Sequence, residues 1–136
     1  MLFRIADALR GRLQRDVGRR GEDLAHRYLR HNRYVIVARN YRPASGARGE
    51  IDIVARDGAS LVFIEVKTRT SDAVSYPERA VDNAKQEYIL RTARDYARRA
   101  GIAWGQVRFD VIAITGTNRP VIEHLKDAFS EPTRID

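Results

Sequence analysis

The chain has 136 residues, a formal net charge of +7 and a pI near 10.2, and it contains no cysteine. Its length is that of one ordinary domain able to bury its own core, and the lack of cysteine excludes a disulfide framework, thiolate zinc sites and cysteine nucleophiles while suiting a reducing cytosol. The positive charge favours a polyanionic partner, either nucleic acid or an anionic membrane surface.

No apolar run approaches the roughly 20 residues of a membrane span, so a soluble, cytoplasmic protein is expected. Met1 to Gln14 interrupts Leu2, Phe3, Ile5, Leu9 and Leu13 with Arg4, Asp7, Arg10 and Arg12. This denies it the apolar core of a secretory signal and predicts a short amphipathic helix over residues 1–15, for which docking on its own domain or fraying is favoured over contact with a membrane surface. Asp16 to Arg30 reads as a helix, with Val17, Gly21, Leu24, Ala25 and Tyr28 as its buried stripe. Glu22 lies beside that stripe. It is either a solvated acid pairing with His26 or an arginine, or a carboxylate turned toward the polar face described next. Tyr34 to Arg39 is a strand candidate rich in β-branched residues. Asn40 to Gly49 follows as a loop, with Pro43, Gly46 and Gly49 to bend it and with Arg42 and Arg48 as basic residues. Such a loop could clamp a phosphate backbone, and a plain surface connection is equally consistent.

Ile51 to Ala55 and Leu61 to Val66 alternate apolar and other residues around the turn signal Asp57-Gly58, which predicts a hairpin. A two-residue loop would shift the pairing and set Asp52 opposite Phe63, still with Asp52, Glu65 and Lys67 on one face; with Asp57 to Ser60 as a four-residue loop, Arg56 pairs with Leu61. One face then carries Ala55–Val62, Ile53–Ile64 and Ile51–Val66, and is wholly apolar. The other carries Val54–Phe63, Asp52–Glu65 and Glu50–Lys67. Like charges directly opposite one another destabilise a sheet, so Asp52 beside Glu65 calls for a cation between them. A hard divalent ion such as Mg2+ suits two carboxylates, completing its shell with waters and substrate phosphate. Lys67 adds positive charge on the same face.

After the hairpin, Ser75 and Glu78 form a capping box with Pro77 in the first turn, opening a long helix that Gly101 stops after Ala100. Ile89, Ala93, Tyr96, Ala97 and Ala100 are its inward stripe, Arg91, Arg94, Arg98 and Arg99 its basic exterior, and Lys85 sits one turn before Ile89. Val107 to Ile114 is a strand whose position after a helix predicts a parallel crossover onto the sheet. Its Asp110 is read as a buried or edge acid paired with an arginine. Val121 to Leu125 is a candidate edge strand, and the tail from Ser130 is expected to fray. His26, His31 and His124 do not form a helical zinc pair, and the phosphate-cradling GxxxxGK[ST] and GxSxG patterns are absent.

An acid on the first helix (Glu22), an aspartate on a strand (Asp52) and Glu65-Val66-Lys67 on the next strand together resemble the PD-(D/E)XK nuclease superfamily. More narrowly, Gly18-Arg19-Arg20-Gly21-Glu22, Asn40-Tyr41-Arg42, Gly49-Glu50-Ile51-Asp52 and Phe63-Ile64-Glu65-Val66-Lys67-Thr68-Arg69 resemble the YraN family (UPF0102), bacterial proteins related to archaeal Holliday-junction resolvases. The similarity covers about residues 16–115. It implies an α/β fold with a restriction-endonuclease-like core, a mixed sheet flanked by helices in αβββαβ order, which agrees with the elements above. By the resemblance, Asp52 and Glu65 are metal ligands, Glu22 is an auxiliary ligand, and Lys67 positions or polarises the attacking water. Arg42, Arg48, Arg69 and Lys85 are the nucleic-acid-contacting candidates. Ile51 stands where the superfamily's motif has proline, a departure that touches no ligand. The implied activity is Mg2+- or Mn2+-dependent hydrolysis of DNA phosphodiesters, with branched DNA as a candidate substrate. A homodimer would suit an enzyme that cuts two strands. Two other readings stay open: a nucleic-acid-binding or recombination-associated module with little cleavage of its own, and a basic RNA-binding protein in which Asp52 and Glu65 merely pair with arginines.

Overall fold

The computed structural model describes residues 18–43, 50–69, 83–116 and 118–130. Outside them lie the N-terminal amphipathic segment, most of the Pro43-to-Gly49 loop with Arg48, the Ser75 capping box and the end of the tail. Helix α1 covers residues 18–31. Strands β1 (Val35–Tyr41), β2 (Ile51–Asp57) and β3 (Ser60–Arg69) follow, then helix α2 (Asn83–Ala100), a single 3-10 turn (Trp104–Gln106), β4 (Val107–Thr115) and β5 (Val121–Leu125). The strands form one sheet in the order β1-β2-β3-β4-β5. Pairing is antiparallel except between β3 and β4, which run parallel as the intervening helix requires. The expected αβββαβ order is present, with β5 added at one edge.

The hairpin takes the predicted register, Ala55 opposite Val62 and Ile53 opposite Ile64, but Asp57 itself pairs with Ser60. The connection is therefore the two residues Gly58-Ala59. Gly58 has φ +59, the conformation that a two-residue hairpin turn demands of its first central residue.

Alternation along the strands gives the sheet two apolar faces. On one, Ile53, Ala55, Val62, Ile64, Ile112 and Ile114 pack with Ala25 and Leu29 of α1 and with Tyr34. On the other, Val54, Leu61, Phe63, Phe109 and Val111 pack with Ile89 and Ala93 of α2. The fully buried line of α1 is Gly21, Ala25 and Leu29, while Leu24 and Tyr28 are half-buried, so the stripe is rotated toward Leu29 from the one predicted. On α2, Ile89, Ala93 and Ala97 are buried as expected, while Tyr96 is half-buried and Ala100 is exposed. Arg91, Arg94, Arg98 and Arg99 are all exposed.

Gly21 brings α1 close to β3: a Cβ there would stand 1.9 Å from Thr68 Cγ2. Gly21→Ala is accordingly expected to cost about 1–3 kcal/mol in urea denaturation, the usual range for overpacking. Thr68→Ala in the same chain removes the clashing methyl and should restore most of that loss.

Candidate functional site

The β2–β3 ladder ends at Ile53–Ile64. Asp52–Glu65, Ile51–Val66 and Glu50–Lys67 are thus not ladder pairs, and Ile51 packs with the α2-side cluster rather than beside Ile53. The cause is visible at Asp52, whose Oδ2 accepts the Val66 backbone N–H at 2.8 Å. A side-chain carboxylate replaces the main-chain carbonyl that a continuing ladder would offer, and the two strands fork around it. Burial raises the Asp52 carboxyl above its ordinary range, opposed by the Val66 amide and by the charges of Lys85 and Lys67.

Glu65 lies in the same fork with its side chain 2% exposed. Its Oε1 accepts a hydrogen bond from Lys85 Nζ, delivered from the first turns of α2. Its Oε2 is buried and has no hydrogen-bond partner among the described residues. Burial, and then the charge of Asp52, push the Glu65 carboxyl up to about 7, against the pull of Lys85 and Lys67. Lys67 is half-buried on β3, opposite Ala113 of β4, and its charge reaches both acids.

Glu22 approaches from α1, 21% exposed, with its Oε2 3.7 Å from Arg39 Nη2. Burial raises its carboxyl, the charge of Asp52 adds to that, and Arg39 opposes both. Glu22 therefore senses Asp52 electrostatically. Yet among the described residues no three His, Cys, Asp or Glu side chains stand together at metal-ligand spacing. Asp52, Glu65 and Glu22 do not form a closed three-carboxylate cage. What is present is a pair of carboxylates with one orphaned, buried oxygen, a donor set that fits a hard divalent ion retaining several waters.

The basic candidates divide. Lys85 is turned inward to Glu65. Arg42 is exposed, and its Nε meets Glu50 Oε1 at 2.8 Å, with Nη2 on the same oxygen. Arg69 is half-buried at the end of β3, opposite Thr115, and Arg48 lies outside the described residues. Arg19, Arg39 and Arg42 line a groove of about 880 Å³ beside Glu22, together with Asn40 and Glu50. Arg39, Asn40 and Glu50 were not singled out as site residues from the sequence. Asn40 has φ 52 at the end of β1, and its signals in the sequence are that it closes a β-branched run and stands in the Asn40-Tyr41-Arg42 stretch of the family resemblance.

A mixed five-stranded sheet with a helix on each face, and with Asp52 and Glu65-x-Lys67 on adjacent strands, is an α/β fold consistent with a restriction-endonuclease-like core. The model of the uncharacterised protein family UPF0102 matches residues 21–114, and the chain belongs to that family. It is 50% identical over 130 residues to a UPF0102 protein of Solibacter usitatus (strain Ellin6076), covering 95% of this chain and 98% of that one. A Geobacter sulfurreducens relative is 48% identical over 115 residues, covering 83% and 88% of the two chains. A third, from Persephonella marina, is 42% identical over 112 residues, covering 82% and 91%.

Proposed function

We propose that this protein is a metal-dependent endonuclease that hydrolyses DNA phosphodiester bonds, with branched, junction-like DNA as the substrate class to test first. The observation that carries the reading is the buried, unpartnered Oε2 of Glu65 beside Asp52. A buried carboxylate oxygen that meets no donor is unfavourable unless a cation or a proton reaches it. Asp52 and Glu65 would hold Mg2+ or Mn2+, with Glu22 directly or through water. When bound, such an ion supplies a water of lowered pKa and neutralises charge on the phosphate.

Lys67 shares the site with both acids and stabilises the negative charge that builds on the phosphoryl oxygens. It would also orient the attacking water. Arg42 and Arg69 are the candidate phosphate contacts, since guanidinium groups bind phosphates without reading sequence. Lys85 favours the anionic form of Glu65 against the burial and the Asp52 charge that raise its carboxyl. The reading brings a cytoplasmic location with access to chromosomal DNA, and a homodimer would supply one site per strand. No helix among the described residues is long and apolar enough to cross a membrane.

The lack of a three-acid cage favours a second reading, a nucleic-acid-binding module that cleaves little by itself. One experiment separates the two. The protein and its Asp52→Asn variant are incubated with linear duplex, single-stranded and four-way-junction DNA, with and without Mg2+ or Mn2+. Metal-dependent cleavage that the variant loses supports the enzyme. Binding with a steep salt dependence and no cleavage of any substrate sinks it in favour of the module.

A further inference from the structure

Glu22 comes from α1, Asn40 from the end of β1 and Glu50 from the residue before β2, and the three meet in the groove that Arg19, Arg39 and Arg42 also line. The Asn40 amide is assigned with its nitrogen toward the acids, because an oxygen there would face only carboxylate oxygens. In that orientation it donates to Glu22 Oε2 at 3.1 Å and to Glu50 Oε2 at 3.2 Å. Glu50 is itself fixed through its other oxygen by Arg42. The amide thus ties a helix-borne carboxylate to a post two residues before Asp52.

The backbone at this point sharpens the question. A φ of 52 is strained for most side chains, and glycine would adopt it at lower cost. Asparagine tolerates it better than most residues, and here its side chain also separates two carboxylates that would otherwise repel. Both contacts fall on Oε2 atoms, which leaves Oε1 of Glu22 available to an ion or to its water. Asn40 is exposed, and its amide contacts among the described residues are these two carboxylates.

We propose that Asn40 is a positioning residue: its amide, braced through Glu50 and Arg42, holds the Glu22 carboxylate over the Asp52–Glu65 fork as the auxiliary metal ligand. This rests on the metal-site reading above, and the test keeps the two apart. Asn40→Gly is the clean variant, since glycine keeps the backbone conformation and removes only the amide. Mn2+ binding to the full chain is measured by calorimetry for the parent, Asn40→Gly, Glu22→Gln and the double variant, with thermal melts to confirm that each is folded.

The expected result is Mn2+ affinity about tenfold weaker in Asn40→Gly, the lower end of what loss of a ligand-orienting partner does. In the Glu22→Gln background the same change should alter affinity by no more than about twofold, the margin within which uncoupled effects combine. A merely structural role would lower the melting temperature but leave Mn2+ affinity unchanged. Unchanged affinity in folded Asn40→Gly, or an equal loss with and without Glu22, overturns the positioning role while the metal site stands. No Mn2+ binding by the parent overturns both.

Discussion

Replacing Asp110 by alanine is expected to destabilise the fold by about 3–5 kcal/mol, the range found when one partner of a buried ion pair is removed. Asp110 is fully buried on β4 and collects donors from four directions. Its Oδ1 accepts Arg108 Nε at 2.9 Å and the Asp127 backbone N–H at 3.0 Å. Its Oδ2 lies 3.0 Å from Arg108 Nη2 and 2.7 Å from His124 Nε2. Arg108 continues to Asp57 at 2.9 Å and donates to the Tyr34 hydroxyl at 2.8 Å, while Tyr28 meets the other His124 nitrogen at 3.1 Å. Without the carboxylate, the Arg108 guanidinium would keep only Asp57 and Tyr34, and the His124 imidazole only Tyr28, so each would lose the buried anion that it faces. That loss is a large fraction of the 5–15 kcal/mol that holds an ordinary domain together. Urea denaturation measures it, and a loss below about 1 kcal/mol would show that the network is not held as a buried ion pair.

The pH dependence of the same residue has a definite sign. Burial alone would raise the Asp110 carboxyl, but the bonds from His124, Arg108 and the Asp127 amide outweigh it and hold the group below its ordinary 3.8. A depressed carboxyl contributes stability that is present above its unfolded value and lost as the pH falls through the folded one. The parent should therefore lose stability more steeply than Asp110→Ala on acidification below about pH 4. The hydrogen bonds of Asp110 are to Arg108, His124, Tyr34 and Asp127, none of them a candidate metal ligand, so Mn2+ affinity should survive in whatever fraction of the variant remains folded.

How much of this was written in the sequence depends on whether each feature is local. The hairpin register followed from alternation and one turn signal, because side-chain period and pairing are rigidly linked. That arithmetic assumes that the strands stay paired, and it cannot foresee a side chain outcompeting a carbonyl for an amide, as Asp52 does at Val66. Lys85 was found one turn ahead of Ile89 because helical spacing carries it toward the strand end, and it meets Glu65 there. Asp110 was expected to be buried with an arginine, and Arg108 two residues away is that partner. His124 looked like a lone histidine without a zinc partner. It reaches Asp110 only through the pairing of β5 with β4, which puts His124 opposite Ile112. The Glu22–Asn40–Glu50 contact joins three elements and depends on one left-handed residue, so no periodicity announces it.

In metal-free buffer, Glu65→Gln is expected to make the protein more stable at pH 8 than the parent by up to about 3 kcal/mol, while the two are nearly equal at pH 5. Glu65 is buried, and its carboxyl is pushed from an ordinary 4.5 up to about 7 by burial and then by Asp52. A raised carboxyl binds its proton more tightly in the folded than in the unfolded chain. Its stability contribution is complete below the unfolded value and declines as the pH rises toward the folded one, so the parent weakens between about pH 5 and pH 7. Glutamine has no proton to lose, so the difference between the two urea curves reports this ionisation together with its coupling to Asp52. Lys85, whose side chain is 36% exposed, can turn to water when its anion is removed. Saturating Mn2+ should then restore the parent at pH 8 and do little for the variant, because an ion that binds the folded state alone stabilises it by mass action and needs the ionised carboxylate. Parallel parent and variant curves from pH 5 to pH 8 would show that Glu65 titrates as an ordinary carboxylate. A parent whose curve falls as expected but does not respond to Mn2+ would keep the buried acid and remove the ion from the proposed chemistry.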